Sequence, residues 1–504
     1  MSDNGSFESD IDQDWADPAE RAIVRRRPSI VSVVISVLVV ACVVTGVAIV
    51  GHTGFLPGSW FAMLVVADVV LAGVAVVLLF LSGPSKHRVR FWLATVLSVV
   101  LVAANLGMAK AGYDAEHTLT TIQPKPETIL YDIVVLSDGP DDVKQLSGSI
   151  MGEVANDSLS LAVHGQVMDR VKVTFQPSPT WTGMVDLLTN KDVLSMVIQD
   201  GFMQVLTDAD PDTYAQLKII DSFEVEVSLA QKPSASATPT PSPSASTQPQ
   251  NSYVLYISGI DTTGSIANRS RSDVNILVVV NPTTGRVLLV NTPRDFYVQL
   301  RGTTGLRDKL THSGVYGIDV SVGTMEDLYD ITISYYLRIN FTSLVTVIDA
   351  LGGVDVNSAY AFSYGGYSFN VGMNHLNGAA ALAFSRDRYD FAGGDRVRGQ
   401  NQQRVIEGVI NKISQPSVLM NYTQILGAIQ NCIQTSMSED EIAAQVRQQL
   451  ETGTQWDVTS ISVDGAGAMD YTYTYPGQRL YVMVPDESTV NLAKDMIQST
   501  LNGT

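Results

Sequence analysis

Two cysteines in 504 residues are too few for a disulfide framework, and they exclude a Cys-ligated zinc site as well. Cys42 falls inside an apolar run and Cys432 lies far from it, so the two are not expected to pair. Six histidines, none at ligand spacing, argue against a zinc hydrolase. G-x-S-x-G, H-E-x-x-H and the P-loop are all missing. Basic charge is scarce too, with 32 Lys and Arg against 51 Asp and Glu and a net charge of −19. That balance argues against a nucleic-acid partner, which calls for a clustered basic face.

What the chain does have is apolar length. Three runs fill its first fifth, at about 30–50, 60–81 and 91–108. Each reaches the roughly 17–25 residues needed to cross a bilayer. Asp68 interrupts the second and is expected to face a neighbouring helix. Arg21, Arg25, Arg26 and Arg27 precede the first run, and Lys86, Arg88 and Arg90 lie between the second and third. The loop after the first run, "GHTGFLPGS", has neither Lys nor Arg. Basic flanks stay in the cytoplasm. The expectation is a multi-pass cell-membrane protein with a cytoplasmic tail at 1–29, three transmembrane helices over 30–108, and everything after about 109 extracytoplasmic.

The outer part divides by composition. Residues 109–230 predict a small α/β accessory domain: "TILYDIVVLS", "RVKVTF" and "SFEVEVSL" read as strands, "WTGMVDLLT" and "VLSMVIQDGF" as short helices. No catalytic cluster stands out there, and His117 and His164 read as structural or surface residues. Residues 231–252, rich in Pro, Ser and Thr, cannot bury a core and form a linker. From 253 to 414 strands and helices alternate. That pattern predicts an α/β/α sandwich, with helices on both faces of a central mixed sheet that is mostly or partly parallel. Residues 415–504 form a partly helical extension, with Ser438 and Glu441 at capping-box spacing. Part of it can complete the sheet.

The stretch "NRSRSDVNILVVV" sets two arginines and an aspartate directly before a run of strand formers. Asp261 closes the preceding strand and Asp273 opens this one, so a loop can bring the two carboxylates together. Such a pair repels itself unless a proton, an arginine or a metal neutralises it. All-oxygen ligation with few protein groups suits Mg²⁺, which shares its shell with phosphates. "NTPRDF" adds Arg294 and Asp295. Arg386, Arg388, Arg396, Arg398 and Arg404 follow within nineteen residues and include no lysine. Guanidinium forks match phosphate or carboxylate. Local salt bridges with Asp387, Asp390 and Asp395 are the plainer reading of that cluster.

These motifs, "GIDTTG", "RSRSDVNILVVVNP", "LLVNTPRDFYV", "YYLRINFTSLVTVIDALGGVDV", "HLNGAAALAFSRDR" and "GDRVRGQNQQRVI", resemble in order and spacing the LytR-CpsA-Psr (LCP) family of cell-wall glycopolymer ligases. The likeness covers roughly 253–413, and the three spans and accessory domain resemble the family's capsule-associated branch. It implies an enzyme that moves a glycan, a capsular or other wall polysaccharide, from a polyprenyl-pyrophosphate carrier to a peptidoglycan sugar hydroxyl. It also implies Mg²⁺ or Mn²⁺ held by Asp261 and Asp273. A pyrophosphate clamp would be formed by Arg271, Arg294, Arg386 and Arg388, with Arg398, Gln402 and Lys309 nearby. Asp261, Asp273, Arg271 and Arg294 are the catalytic set, and either aspartate can serve as base. Asn401 stands where many members carry arginine. The implied partners are the lipid-linked donor, peptidoglycan, membrane lipid and contact with the capsule synthesis machinery. The same pocket would serve a polyprenyl-pyrophosphate-glycan pyrophosphatase. A non-catalytic membrane regulator of capsule or exopolysaccharide synthesis is the reading from a different class.

Overall fold

The computed structural model of the chain describes residues 29–53, 58–81, 88–122, 127–155, 157–227, 252–260, 265–387, 394–419, 422–429 and 432–504. The expected cytoplasmic tail and most of the Pro/Ser/Thr linker lie outside them. The chain forms two compact units, Met1–Tyr113 and Asp114–Thr504.

In the first unit, Ile30–His52, Gly58–Leu81 and Val89–Lys110 are long and apolar enough to cross a membrane. Most of their large apolar side chains face outward, the arrangement expected when the surrounding solvent is hydrocarbon. Asp68 is buried and accepts a hydrogen bond from Asn105 Nδ2 at 3.4 Å. The acidic residue in the second span therefore faces a polar partner on the third, as expected.

The second unit is built on two sheets. Strands β1 (Thr128–Leu136), β2 (Ile150–Val154), β3 (Thr174–Ser178), β4 (Ser195–Gln199) and β5 (Leu217–Glu226) form the accessory sheet in the order β3-β2-β4-β1-β5. "VLSMVIQDGF" is not one helix. Its first half is β4, paired antiparallel with β1, and the helix Asp200–Ala209 starts only afterwards. Ser195 to Ile198 are buried on both faces, so the apolar run has no helical periodicity to find. The strand expected at "RVKVTF" also starts later, because the helix Ser160–Arg170 runs into it and ends at Val171.

Strands β6 (Tyr253–Ile260), β7 (Ser272–Asn281) and β8 (Arg286–Asn291) open the second sheet. β9 (Tyr297–Val298) and β10 (Asp308–Lys309) form a two-residue ladder beside it. β11 (Tyr335–Asn340) returns to the sheet. β12 (Val354–Ser358) pairs with β15 (Gly372–Leu376), and β13 (Phe362–Tyr364) with β14 (Tyr367–Phe369). β16 (Ile433–Thr435) and β17 (Asp457–Ser462) complete a six-stranded order β16-β11-β6-β7-β8-β17. β11 with β6 and β17 with β8 are parallel, and the other three pairings are antiparallel. The sheet is thus mixed, as expected, with antiparallel pairings in the majority.

"VNILVVV" is continuously apolar because both faces of β7 are covered. Leu277 and Val279 join Leu288 and Val290 beneath the helices Ile318–Tyr329 and Glu487–Asn502. Ile276, Val278 and Val280 join Val287 and Leu289 on the other face, against Ile406 and Ile410 of the helix Asp395–Ile413. Each such fully buried side chain contributes about 1.5–3 kcal/mol. Both edge strands and the helix Glu487–Asn502 come from residues after 414, so that segment is part of this core. It also carries the expected capping box: the Ser438 side chain accepts from the Glu441 N–H, and the Glu441 carboxylate from the Ser438 N–H.

Candidate active site

One edge of the second sheet collects the ends of four strands. Ile260 at the end of β6 pairs with Ser272 at the start of β7 and with Asn340 at the end of β11. The pairing of β7 with β8 stops at Ile276 and Asn291. Asp273 and Arg294 each lie three residues past that pair, on opposite strands, and so arrive at the same place. Arg294 Nη1 donates to Asp273 Oδ1 at 3.1 Å. Thr311 Oγ1 donates to the same oxygen at 2.8 Å. Arg271 Nη2 is 4.0 Å from Asp273 Oδ2.

Asp273 is 10% exposed. Burial alone pushes its carboxyl up. Arg294, Arg271, the Thr311 hydroxyl and Arg398 outweigh burial and hold it at about 2. This carboxylate therefore stays ionised at any physiological pH. The site is a buried negative charge wrapped by positive ones.

Thr311 is held by the backbone. Its N–H donates to Arg294 O at 2.9 Å, and the Leu310 N–H donates to Phe296 O at 2.9 Å. Beneath that turn, His312 Nδ1 is 2.6 Å from Asp308 Oδ1, and Asp308 Oδ2 accepts from the Thr474 N–H at 2.7 Å. His312 and Asp308 are both buried, which makes them a brace for the turn and not part of a triad. Lys309 sits one step from the centre, its Nζ 3.1 Å from Asp295 Oδ1. Asp295 Oδ2 in turn lies 3.9 Å from Arg294 Nε.

The arginine-rich segment divides. The helix Asp395–Ile413 brings its first turns to the same edge. A Cβ on Gly399 would lie 3.0 Å from Asn291 Cγ, and Asn291 closes β8. Arg398, beside Gly399, accordingly acts on Asp273 electrostatically. Gln402 Nε2 reaches Ser385 O at 3.5 Å, which ties that helix to the end of the helix Gly378–Arg386. Arg386 is exposed, with its guanidinium 4.6 Å from the centroid of the Phe341 ring. Phe341 follows Asn340, the partner of Ile260, so Arg386 stands beside the end of β6. Arg396 instead pairs with Asp464 at 2.6 Å, the plain salt bridge. Arg404 donates to Asn401 Oδ1 at 2.8 Å, and Asn401 is fully buried. Asp261 and Arg388 lie outside the described residues.

Thr311 is the residue that sequence reasoning passed over. "THSG" carried no local pattern for it, because its partner is thirty-eight residues away. The other surprise is the use of "NRSR". Asn268 Nδ2 donates to Glu224 at 3.0 Å, Arg269 Nη2 to Glu127 at 3.1 Å, and Ser270 Oγ to Gln204 at 2.8 Å. Arg271 Nη1 pairs with Asp208. All four partners belong to the accessory region. Two backbone bonds, Thr128 N–H to Ala267 O and Arg269 N–H to Thr128 O, both 3.1 Å, extend that contact.

The family model that matches the chain is that of the LytR_cpsA_psr family, over residues 220–488. Among curated relatives, the polyisoprenyl-teichoic acid–peptidoglycan teichoic acid transferase TagU of Bacillus licheniformis is 36% identical over 191 residues, which is 38% of this chain and 61% of that protein. TagU of Bacillus cereus (strain AH820) is 32% identical over 243 residues, covering 48% of this chain and 77% of that protein. The crystal structure of Bacillus subtilis TagU matches 50% of this chain and 97% of its own, at 30% identity and a TM-score of 0.40.

Proposed function

The chain belongs to the LytR_cpsA_psr family, and on that premise we propose that it transfers a glycopolymer from a polyprenyl-pyrophosphate carrier to a sugar hydroxyl of peptidoglycan. The observation that carries this reading is Asp273, buried between Arg294 and Arg271 at the edge where four strands end. Arg271, Arg294 and Arg398 all act on Asp273, and a diphosphate is an anion that guanidinium forks fit. TagU, the named relative, acts on polyisoprenyl-linked teichoic acid and peptidoglycan, which supports both donor and acceptor class. The glycan here is a wall polymer. A capsular polysaccharide is the finer reading, suggested by the three candidate spans and the additional five-stranded sheet.

Attack by the acceptor hydroxyl on the glycan-bound phosphorus forms a phosphodiester and releases polyprenyl phosphate. Negative charge grows on the leaving phosphate, and Arg294, Arg271 and Arg398, which all act on Asp273, would stabilise it. Asp273 or Asp261 would take the acceptor's proton. The donor set fits Mg²⁺, because both side chains offer oxygen alone and, among the described residues, Asp273 Oδ2 has the longer contact of 4.0 Å to Arg271. Asp273 and Asp261 would hold the ion, which supplies charge neutralisation to the diphosphate. The basic flanks of the spans support a cytoplasmic N-terminus and an outer catalytic unit.

The test is to incubate the full chain in detergent with a polyprenyl-pyrophosphate oligosaccharide, peptidoglycan and Mg²⁺. A phosphodiester-linked adduct that disappears with EDTA is the expected product. Free glycan phosphate with no adduct would instead establish a pyrophosphatase.

A further inference from the structure

The helix Asp200–Ala209 presents Asp200, Gln204 and Asp208 at spacings of four, and hence on one face. That face meets the segment leading into β7. Gln204 Nε2 donates to Asp200 Oδ2 at 2.6 Å, while its Oε1 accepts from Ser270 Oγ at 2.8 Å. Asp208 takes Arg271 Nη1. The other terminal nitrogen of the same guanidinium, Nη2, is the one 4.0 Å from Asp273 Oδ2. The planar fork is therefore bracketed, with an accessory carboxylate on one tine and the site carboxylate near the other. Arg271 is 10% exposed and Asp208 51%. The arginine is enclosed while its outer partner stands at the surface. Asp208 also precedes residue 220, where the family match begins, so it belongs to what this chain adds to the family's shared domain.

We propose that Asp208 is a positioning residue for the diphosphate site. By holding Nη1 it fixes the rotation of the Arg271 guanidinium and keeps Nη2 directed at the anion. The bonds to Asn268, Arg269 and Ser270 set the backbone, and Asp208 sets the side chain. The accessory region thus supplies an outer wall of the active site. This inference rests on the reading of Arg271 as a diphosphate ligand.

The experiment measures binding of inorganic pyrophosphate to the full chain in detergent micelles by calorimetry, in EDTA. Arg271→Lys is expected to weaken binding about tenfold, since the planar fork that joins Asp208 to the anion is lost. Asp208→Asn is expected to weaken it about fivefold, with an unchanged melting temperature because the residue is half exposed. Asp208→Glu, which keeps the carboxylate, is expected to recover most of the affinity, a rescue that a general loss of structure would not give. Unchanged binding in Asp208→Asn beside weakened binding in Arg271→Lys overturns the positioning role. Tighter binding in Asp208→Asn overturns it too, and makes Asp208 a competitor of the anion. Unchanged binding in Arg271→Lys overturns the diphosphate reading itself, whatever Asp208 does.

Discussion

Arg294 Nη1 and Asp273 Oδ1 stand 3.1 Å apart, from antiparallel strands whose pairing ends three residues earlier on each side. The register of β7 against β8 is what brings them together. Shifting either strand by one residue would turn one of the two side chains to the opposite face of the sheet.

Replacing Arg294 by Lys keeps the charge and loses the fork. Glycopolymer transfer should fall by about 10² to 10³, the range for removing one stabilising donor from a site of developing charge. Product formation from a lipid-linked oligosaccharide measures it. Near wild-type transfer would remove Arg294 from the mechanism.

Thr311→Val removes the hydroxyl that donates to Asp273 Oδ1 and keeps the side-chain shape. The lost bond to a charged acceptor is worth about 1.5–3 kcal/mol. Chemical denaturation should show a stability loss of that order. Transfer should weaken less than in Arg294→Lys, because the two arginines remain.

Buried Asp132 neighbours half-buried Asp200, which accepts from Gln204 Nε2. Burial, together with the neighbouring Asp200 carboxyl, pushes Asp132 up to about 7, with the Ser222 hydroxyl opposing; burial also raises Asp200. A raised carboxyl means the folded state binds more protons than the unfolded one between about pH 4 and pH 7, so stability should fall as pH rises through that window. Asp132→Asn can donate to Asp200 without a shared proton and should flatten the slope. Thermal unfolding at pH 5, 6, 7 and 8 and constant ionic strength reads both, and equal slopes would disprove the shared proton.

Gly399 lies in the first turns of a helix, where alanine ordinarily stabilises by up to about 1 kcal/mol. Here a Cβ would come within 3.0 Å of Asn291 Cγ. Gly399→Ala should therefore destabilise, and it should also lower transfer because Arg398 and Gln402 ride on that helix. A raised melting temperature with intact transfer would show that the helix does not need this close approach.

Much of the site was legible because its charges border strong apolar runs. Asp273, Arg271 and Arg294 could be named from strand ends alone, and Arg386 and Arg398 from the density of guanidiniums. Thr311 was not legible, because a hydroxyl in a turn carries no pattern until the strand beneath it is placed. Arg396 and Arg404 show the converse. Their segment looks like one clamp in sequence, yet Arg396 is tied to Asp464 and Arg404 to Asn401. The helix misread at "VLSMVIQDGF" hid the stripe Asp200, Gln204, Asp208, whose spacing of four was the available signal.

Local sequence by itself determined the three long apolar helices, the first three strands of the second sheet and the helices Ile318–Tyr329 and Asp395–Ile413 that cover it, because apolar length and periodicity act over one or two turns. Only the tertiary structure decided which strands of this sheet run parallel, which segments after 414 supply its edges, and which arginine meets which carboxylate. Those outcomes depend on strand register and on chain crossovers between residues tens to hundreds of positions apart, and no window of sequence contains both partners.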